Sequence, residues 1–281
     1  MHTTLISTSE LGAHLTDPGF VVIDVRHDLS NLEWGEAEYR RGHIPGARFA
    51  GLERDLSAPK TGANGRHPLP TPEASAEFFG RLGIDATKQV VAYDQGSTMY
   101  AARCWWMLRW LGHAAVAVLD GGMAAWTREG RAVTAEVPVV APARFTVRDV
   151  ESTVDVNAVA GSLEARSLFL VDARGRERFR GDNEPLDPVA GHIPGAVNRP
   201  YTQNFKTDGT YRAASELRAE FRELLGAHPN SEVVHYCGSG VSACHNVLAM
   251  EYAGLGRTRL YPGSWSEWCA DRRRPMAQGD S

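Results

Sequence analysis

Apolar and polar positions along this chain change period in a regular way. Short runs such as Val21-Val22-Ile23-Asp24-Val25 and Val90-Val91-Ala92-Tyr93 are almost continuously apolar, as strands buried on both faces are. Between them lie stretches whose apolar residues fall three and four apart, on one face of a helix. The pattern predicts a strand over 21–25, helices around 36–41 and 72–82, a strand over 90–93, a helix around 98–111, a strand over 115–118 and a helix around 123–129. Apolar runs at Leu168-Phe169-Leu170-Val171 and Val233-Val234-His235-Tyr236 open the same alternation in the second half. Strands that alternate with helices mark an α/β fold, a mainly parallel sheet with helices on both faces.

The two halves are copies. Gly42-His43-Ile44-Pro45-Gly46-Ala47 recurs letter for letter as Gly191-His192-Ile193-Pro194-Gly195-Ala196, each after a strand ending in aspartate, Asp24 and Asp172. Val90-Val91-Ala92-Tyr93-Asp94 pairs with Val233-Val234-His235-Tyr236-Cys237, and Leu119-Asp120-Gly121-Gly122 with Leu260-Tyr261-Pro262-Gly263. Two copies are too few for a solenoid and make two homologous domains. Residues 1–136 form the first, 137–152 a linker and 153–281 the second; the stretch from Arg131 to Ser152 is rich in Val, Ala and Pro and lacks helical periodicity.

Composition narrows the function. A chain of 281 residues, 43% hydrophobic and 23% charged, has apolar surface for two real cores. A net charge of −4 argues against nucleic acid or an anionic membrane as the main partner, and Arg272-Arg273-Arg274 reads as a solvated run. No apolar stretch approaches the roughly 18 residues of a membrane span, and Met1 to Glu10 lacks the pattern of a signal peptide. Cys104, Cys237, Cys244 and Cys269 form neither a CxxC pair nor a metal-ligand spacing, and no dinucleotide fingerprint is present. The expectation is a cytoplasmic protein with free thiols, no metal and no cofactor.

Chemistry concentrates at Cys237, between the strand ending at Tyr236 and the helical stretch after Ala243. Gly238 and Gly240 allow positive φ, so the backbone N–H groups of Gly238, Ser239, Gly240, Val241, Ser242 and Ala243 can turn inward, and the helix start adds its positive dipole end. Such a cradle favours a thiolate and any anion bonded to its sulfur. The plain alternative is a small buried core cysteine. Cys244 reads as core packing, with a resolving thiol as its alternative role. The first copy carries Asp94-Gln95-Gly96-Ser97-Thr98-Met99 at this place. An aspartate cannot accept sulfur, so the first domain is expected to be silent, with Asp94 a helix cap. With Gln95 in place of Gly238, its N–H groups are not expected to converge.

Together the doubled Gly-His-Ile-Pro-Gly-Ala string, the Tyr236-Cys237-Gly238-Ser239-Gly240-Val241-Ser242-Ala243 loop and Gly263-Ser264-Trp265-Ser266-Glu267-Trp268 resemble the tandem-domain rhodanese-family sulfurtransferases. The resemblance spans essentially the whole chain. The loop is closer to Cys-Gly-Ser-Gly-Val-Thr-Ala of 3-mercaptopyruvate sulfurtransferases than to Cys-Arg-Lys-Gly-Val-Thr-Ala of thiosulfate sulfurtransferases, with Ser242 in place of threonine. It implies two α/β rhodanese domains and a persulfide on Cys237. The implied partners are a small anionic sulfur donor and a thiol, thioredoxin-like or cyanide acceptor. It also implies that Arg178 binds the donor anion, with Arg174 and Arg180 as weaker candidates, and that a loop carrying His67 reaches the site and offers a proton relay. The second arginine of similar enzymes is replaced by Leu186 in Glu184-Pro185-Leu186. His43 and His192 share a structural role, and Trp34 is either a wall of the site or a packed aromatic.

Three other readings compete with this one. A cysteine phosphatase needs an arginine six positions after its nucleophile, and position 243 is alanine. A non-catalytic persulfide carrier or redox sensor would use Cys237 without turning over a small donor. Thiosulfate in place of 3-mercaptopyruvate as the main donor is the alternative within the same family.

Overall fold

A computed structural model describes residues 1–148 and 152–280. Two compact units share the chain. The first holds Met1–Ala58, Pro70–Glu151 and Phe205–Tyr211; the second holds Pro59–Leu69, Ser152–Asn204 and Arg212–Ser281. Two short segments thus belong to the unit opposite to the chain that flanks them. Residues 59–69 belong with the second unit.

In chain order the first unit has β1 (Leu5–Ile6), α1 (Thr8–Ala13), β2 (Phe20–Asp24), α2 (Trp34–Arg41), β3 (Arg48–Phe49), α3 (Pro72–Arg81), β4 (Gln89–Tyr93), α4 (Met99–Trp110), β5 (Val116–Leu119) and α5 (Gly122–Arg128). The second has α6 (Val156–Ala165), β6 (Phe169–Asp172), α7 (Arg176–Arg180), β7 (Val197–Asn198), a 3-10 turn (Tyr201–Asn204), α8 (Ala214–Leu225), β8 (Val233–Tyr236), α9 (Ala243–Tyr252), β9 (Arg259–Leu260) and α10 (Ser264–Trp268). The seven elements expected in the first copy all form, within two residues at either end. Local chemistry explains their starts. Ser7 and Glu10 close a capping box on α1, Thr71 caps α3 ahead of Pro72, and Asp155 caps α6. The elements that periodicity missed in this copy, β1, α1 and β3, are too short to show a period.

The first sheet has the order β1-β5-β4-β2-β3 and the second β7-β6-β8-β9, with every named pairing parallel. A parallel bridge from Thr153 to Leu260 gives the second sheet the counterpart of β1. The central strands are fully buried, as the unbroken apolar runs require, and α4 is buried almost all round. Residues 131–148 contain no helix or strand; the chain there is tied to the first unit by Ala143 N–H to Gly80 and Arg148 N–H to Leu111.

The repeated string has a physical reason, the same in both units. Asp24 at the end of β2 holds Arg26 through both carboxylate oxygens, and Arg26 Nη2 donates to Gly42 O at 2.8 Å. The Tyr93 hydroxyl donates to Asp24 at 2.6 Å and accepts the Ile44 N–H. In the second unit Arg174 pairs with Asp172, donates to Gly191 O at 2.7 Å, and Tyr236 accepts the Ile193 N–H. Charge-assisted bonds of this kind, fully buried, lock the first strand, the string and the strand that carries the candidate loop into one block. His43 and His192 stack on Tyr39 and Phe179 at 4.0 and 3.8 Å between ring centres. Each bonds the carbonyl of that same aromatic residue through Nδ1, which is the shared structural role expected of the pair.

Candidate active site

Cys237 follows β8 directly and is 1% exposed. Its loop is clamped from below by α10. Cys237 N–H donates to Ser264 Oγ at 3.1 Å, while the N–H groups of Trp265 and Ser266 donate to the carbonyls of Cys237 and Gly238 at 3.0 and 2.9 Å. This gives the Gly263-Ser264-Trp265-Ser266 string its task. The first unit repeats it, with Met123 and Ala124 N–H groups on the carbonyls of Asp94 and Gln95.

The two loop glycines have different reasons. Gly240 has φ +76°, and a Cβ there would lie 2.3 Å from Pro262 O. Gly238, expected to supply positive φ, does not have it. A Cβ at Gly238 would instead lie 2.7 Å from Arg66 Nη2 and 3.3–3.4 Å from Arg178 Nη2 and Nη1. A side chain at this position would have to displace the end of Arg66, so the absence of a Cβ leaves room for the two guanidinium groups.

Ser239 is buried, and its Oγ lies 2.7 Å from His67 Nδ1. Residues 65–67 are docked by Gly65 against the Gly263 carbonyl and by Arg66 N–H on Ser266 Oγ at 3.0 Å. Val241 and Ala243 are buried, and Ser242 stands at the N-cap of α9 without a side-chain capping bond. Cys244 is fully buried on α9, with its thiol donating to Gly240 O at 3.3 Å.

Of the arginines, Arg178 reaches the loop. Its Nε and Nη2 grip Glu184 at 2.7–3.1 Å, and Nη2 also meets Asp187 at 3.1 Å. Burial works to raise the Glu184 carboxyl, but Arg178 and the Leu186 N–H overcome it, leaving it below the usual range. Burial pushes Asp187 up in spite of Arg66. Arg174, a weaker candidate for donor binding, is 2% exposed and bonded to Asp172, Glu184 and the Gly191 carbonyl, with its guanidinium over Trp265. It holds the fold and presents no face to a substrate. Arg180 pairs with Asp182 and Asp280 at the end of α7, away from the loop contacts. Leu186 is exposed, and Trp34 opens α2 in the first unit, partly buried. Arg66 escaped sequence reading, since it lies far from Cys237 in the chain; its only signal was adjacency to His67.

The first unit corrects one expectation. Its N–H groups do converge. Asp94 is fully buried, and its carboxylate accepts the N–H groups of Gly96 and Thr98 at 2.9 and 2.8 Å and of Tyr100 and Ala101 at 3.0 and 3.3 Å. Gln95 does not prevent this, because the turn is made at Gly96, φ +144°, and Thr98, φ 54°. Asp94 therefore caps α4 and fills its own cradle. Burial still raises its pKa, with the four donors opposing it.

The Rhodanese-like domain matches residues 7–129 and again 155–271, and the chain belongs to that family. It is 46% identical over 279 residues to a Pseudomonas aeruginosa protein named "Probable 3-mercaptopyruvate sulfurtransferase", covering 98% of each chain. It is 34% identical to the thiosulfate sulfurtransferase of Bos taurus, covering 95% of this chain and 92% of that one. The solved 3-mercaptopyruvate sulfurtransferase of Escherichia coli superposes with a TM-score of 0.81 at 32% identity, over 94% of this chain and 99% of that one. No helix among the described residues is long and apolar enough to cross a membrane, and no group of metal-binding side chains occurs among them.

Proposed function

We propose that this protein, a sulfurtransferase of the rhodanese-like family, moves sulfur from 3-mercaptopyruvate through a Cys237 persulfide to a thiol, a thioredoxin-like protein or cyanide. The observation that carries this reading is the filled cradle around Asp94. A carboxylate extends two atoms beyond Cβ and carries a negative charge. So does Cys–S–S⁻. By alignment of the copies, Ser239, Val241 and Ala243 are the counterparts of Gly96, Thr98 and Tyr100, whereas the N–H of Cys244, the counterpart of Ala101, is taken by the Val241 carbonyl at 3.1 Å. The likeness to the filled first loop supports a role for these N–H groups in holding a persulfide anion. The first copy takes no part in transfer, because its own side chain occupies the place of the sulfur.

In the loading step the Cys237 thiolate attacks the donor sulfur. The S–S bond forms, the C–S bond of mercaptopyruvate breaks, and the electron pair leaves on the enolate of pyruvate, which takes up a proton at carbon. The donor thiol supplies that proton, and Ser239 with His67 provides a path for it. An acceptor thiolate or cyanide then attacks the outer sulfur and regenerates the Cys237 thiolate. Arg178 holds the donor carboxylate at a distance from the sulfur. The loop carries Gly238 and Ser239, the spelling it shares with 3-mercaptopyruvate sulfurtransferases, which supports that donor. Four free, buried cysteines suit a reducing cytoplasm.

Steady-state rates with both donors test the reading. We expect kcat/KM for 3-mercaptopyruvate to exceed that for thiosulfate by at least about tenfold. Donor-treated protein should gain one sulfur on Cys237, and Cys237→Ser should lose both adduct and turnover. An adduct on Cys244 or Cys104 would remove Cys237 from the reaction, and a thiosulfate preference would reverse the donor assignment.

A further inference from the structure

The two copies start the helix after their loop in different ways. In the first, Asp94 accepts the N–H groups of Tyr100 and Ala101 in the opening turn of α4 at 3.0 and 3.3 Å. With Cys237 at the same place, α9 has no such carboxylate, and Ser242 at its N-cap makes no side-chain capping bond. The N–H groups of Cys244 and His245 turn back instead to the carbonyls of Val241 and Ser242, at 3.1 Å each. A buried pair of amides then grips this turn through its side chains. Asn204 Nδ2 donates to Asn246 Oδ1 at 2.7 Å and lies 3.1 Å from His245 Nδ1, while Asn246 Nδ2 donates to the Arg199 carbonyl at 2.8 Å. Asn204, His245 and Asn246 are all fully buried. Burial pushes His245 down to about 3, so its ring is neutral and Nδ1 accepts the Asn204 amide hydrogen.

Apolar side chains would fill this space at less cost in desolvation, but a bonded polar cluster fixes one register where apolar packing allows several. The segment that carries Asn204 is itself hung on β6. Arg199 N–H donates to Asp172 O at 2.9 Å and Tyr201 N–H to Ala173 O at 3.0 Å, and Ala173 N–H donates to Tyr236 O at 2.8 Å. The amide pair thus ties the far end of the loop to the same strand ends, of β6 and β8, from which Cys237 departs. In the first copy Arg103, the counterpart of Asn246, reaches Leu56 O at 3.3 Å, but there Asp94 holds the helix start as well.

We infer that Asn204 and Asn246 are positioning residues of the sulfur-transfer site: their amide pair fixes the opening turn of α9, and through it the loop whose N–H groups hold the anion on Cys237. An aspartate holds its own helix start. A cysteine that carries sulfur cannot, so the helix is held through its side chains instead. Both asparagines are out of reach of a donor and act through α9. The inference rests on the sulfurtransferase reading for the reaction it serves, but the tie acts on the thiol itself and is measured without a donor.

Variants of the full chain probe the tie. In Asn204→Ala and in Asn246→Ala the pH midpoint of Cys237 alkylation by iodoacetamide, followed by peptide mass spectrometry, should rise by at least about half a pH unit, because N–H groups that drift off line stabilise the thiolate less. The kcat for 3-mercaptopyruvate should fall about tenfold with KM changed by less than about threefold. Asn204→Ala with Asn246→Ala should be no worse than the poorer single variant, since the two act as one bond. Leu248→Ala, a buried change on the same helix outside the pair, separates positioning from general loosening: it should lower stability and leave the midpoint where it is. If the alanine variants do not fold, Asn204→Leu with Asn246→Leu removes the polar tie from both sides at similar volume and carries the same expectation. A folded variant with the wild-type midpoint and kcat would overturn the inference, as would an equal shift in Leu248→Ala. If wild type loads no sulfur from any donor, the sulfurtransferase reading fails while the alkylation midpoint still decides the tie.

Discussion

His67 Nδ1 lies 2.7 Å from the hydroxyl oxygen of Ser239, two residues beyond Cys237, and both groups are buried. The pair joins residues 172 positions apart in sequence. A bond of that length in a dry setting either passes a proton or fixes the loop. If it passes a proton, His67→Ala lowers kcat for 3-mercaptopyruvate by about 100-fold with KM nearly unchanged, and the acid limb of the kcat profile disappears. Ser239→Ala should do nearly the same, and the double variant should be no worse than either single one. Stopped-flow loading against pH is the measurement; additive losses with an unshifted profile would reduce the pair to a structural contact.

Asp94 holds four N–H groups of its own loop. Removing the acceptor leaves buried donors without partners, so Asp94→Ala should destabilise the protein by about 3 kcal/mol, and Asp94→Asn by less because one oxygen remains. Sulfur transfer at Cys237 should persist at temperatures where the variant is folded. Urea unfolding measures the first effect. A change under about 0.5 kcal/mol would mean that the loop does not depend on this carboxylate.

Gly240 leaves no room for a side chain. Its φ of +76° strains any other residue, and a Cβ would sit 2.3 Å from the Pro262 carbonyl oxygen. Gly240→Ala is expected to cost about 2 kcal/mol in stability and to abolish persulfide formation, because the loop must shift away from α10. Mass spectrometry of the donor-treated variant checks this; a full persulfide yield would show that the loop tolerates the displacement.

His235 on β8 and His245 on α9 are fully buried, and burial pushes both down to about 3 from an ordinary 6.5. Above pH 6.5 both are neutral, folded or unfolded, and contribute no pH dependence. Below it the unfolded chain takes up two protons that the folded chain refuses until about pH 3. Stability is therefore lost as pH falls through this window, by up to about 1.4 kcal/mol per pH unit for each histidine. Urea titrations at pH 7 and pH 5 should show the loss, and His235→Gln should flatten it. Equal stability of wild type at the two values would place both rings in contact with solvent.

The duplication, the parallel α/β units and the strand-loop-helix setting of Cys237 can be read from the residues alone. These are legible because each rests on local periodicity, turn chemistry or a motif confined to a few neighbouring residues. Tertiary structure decided what depends on approach between distant segments. It turned Arg174 into a buried partner of Asp172 and Glu184, since a guanidinium beside two carboxylates in an apolar core is fully occupied. It gave Gly238 a steric reason in place of a conformational one. It showed the first loop folded around Asp94 despite Gln95, because convergence is set by the turn at Gly96 and Thr98 and not by the first position of the loop. And it brought Arg66 to the loop from residues 59–69, a contact within the second unit that no spacing along the chain encodes.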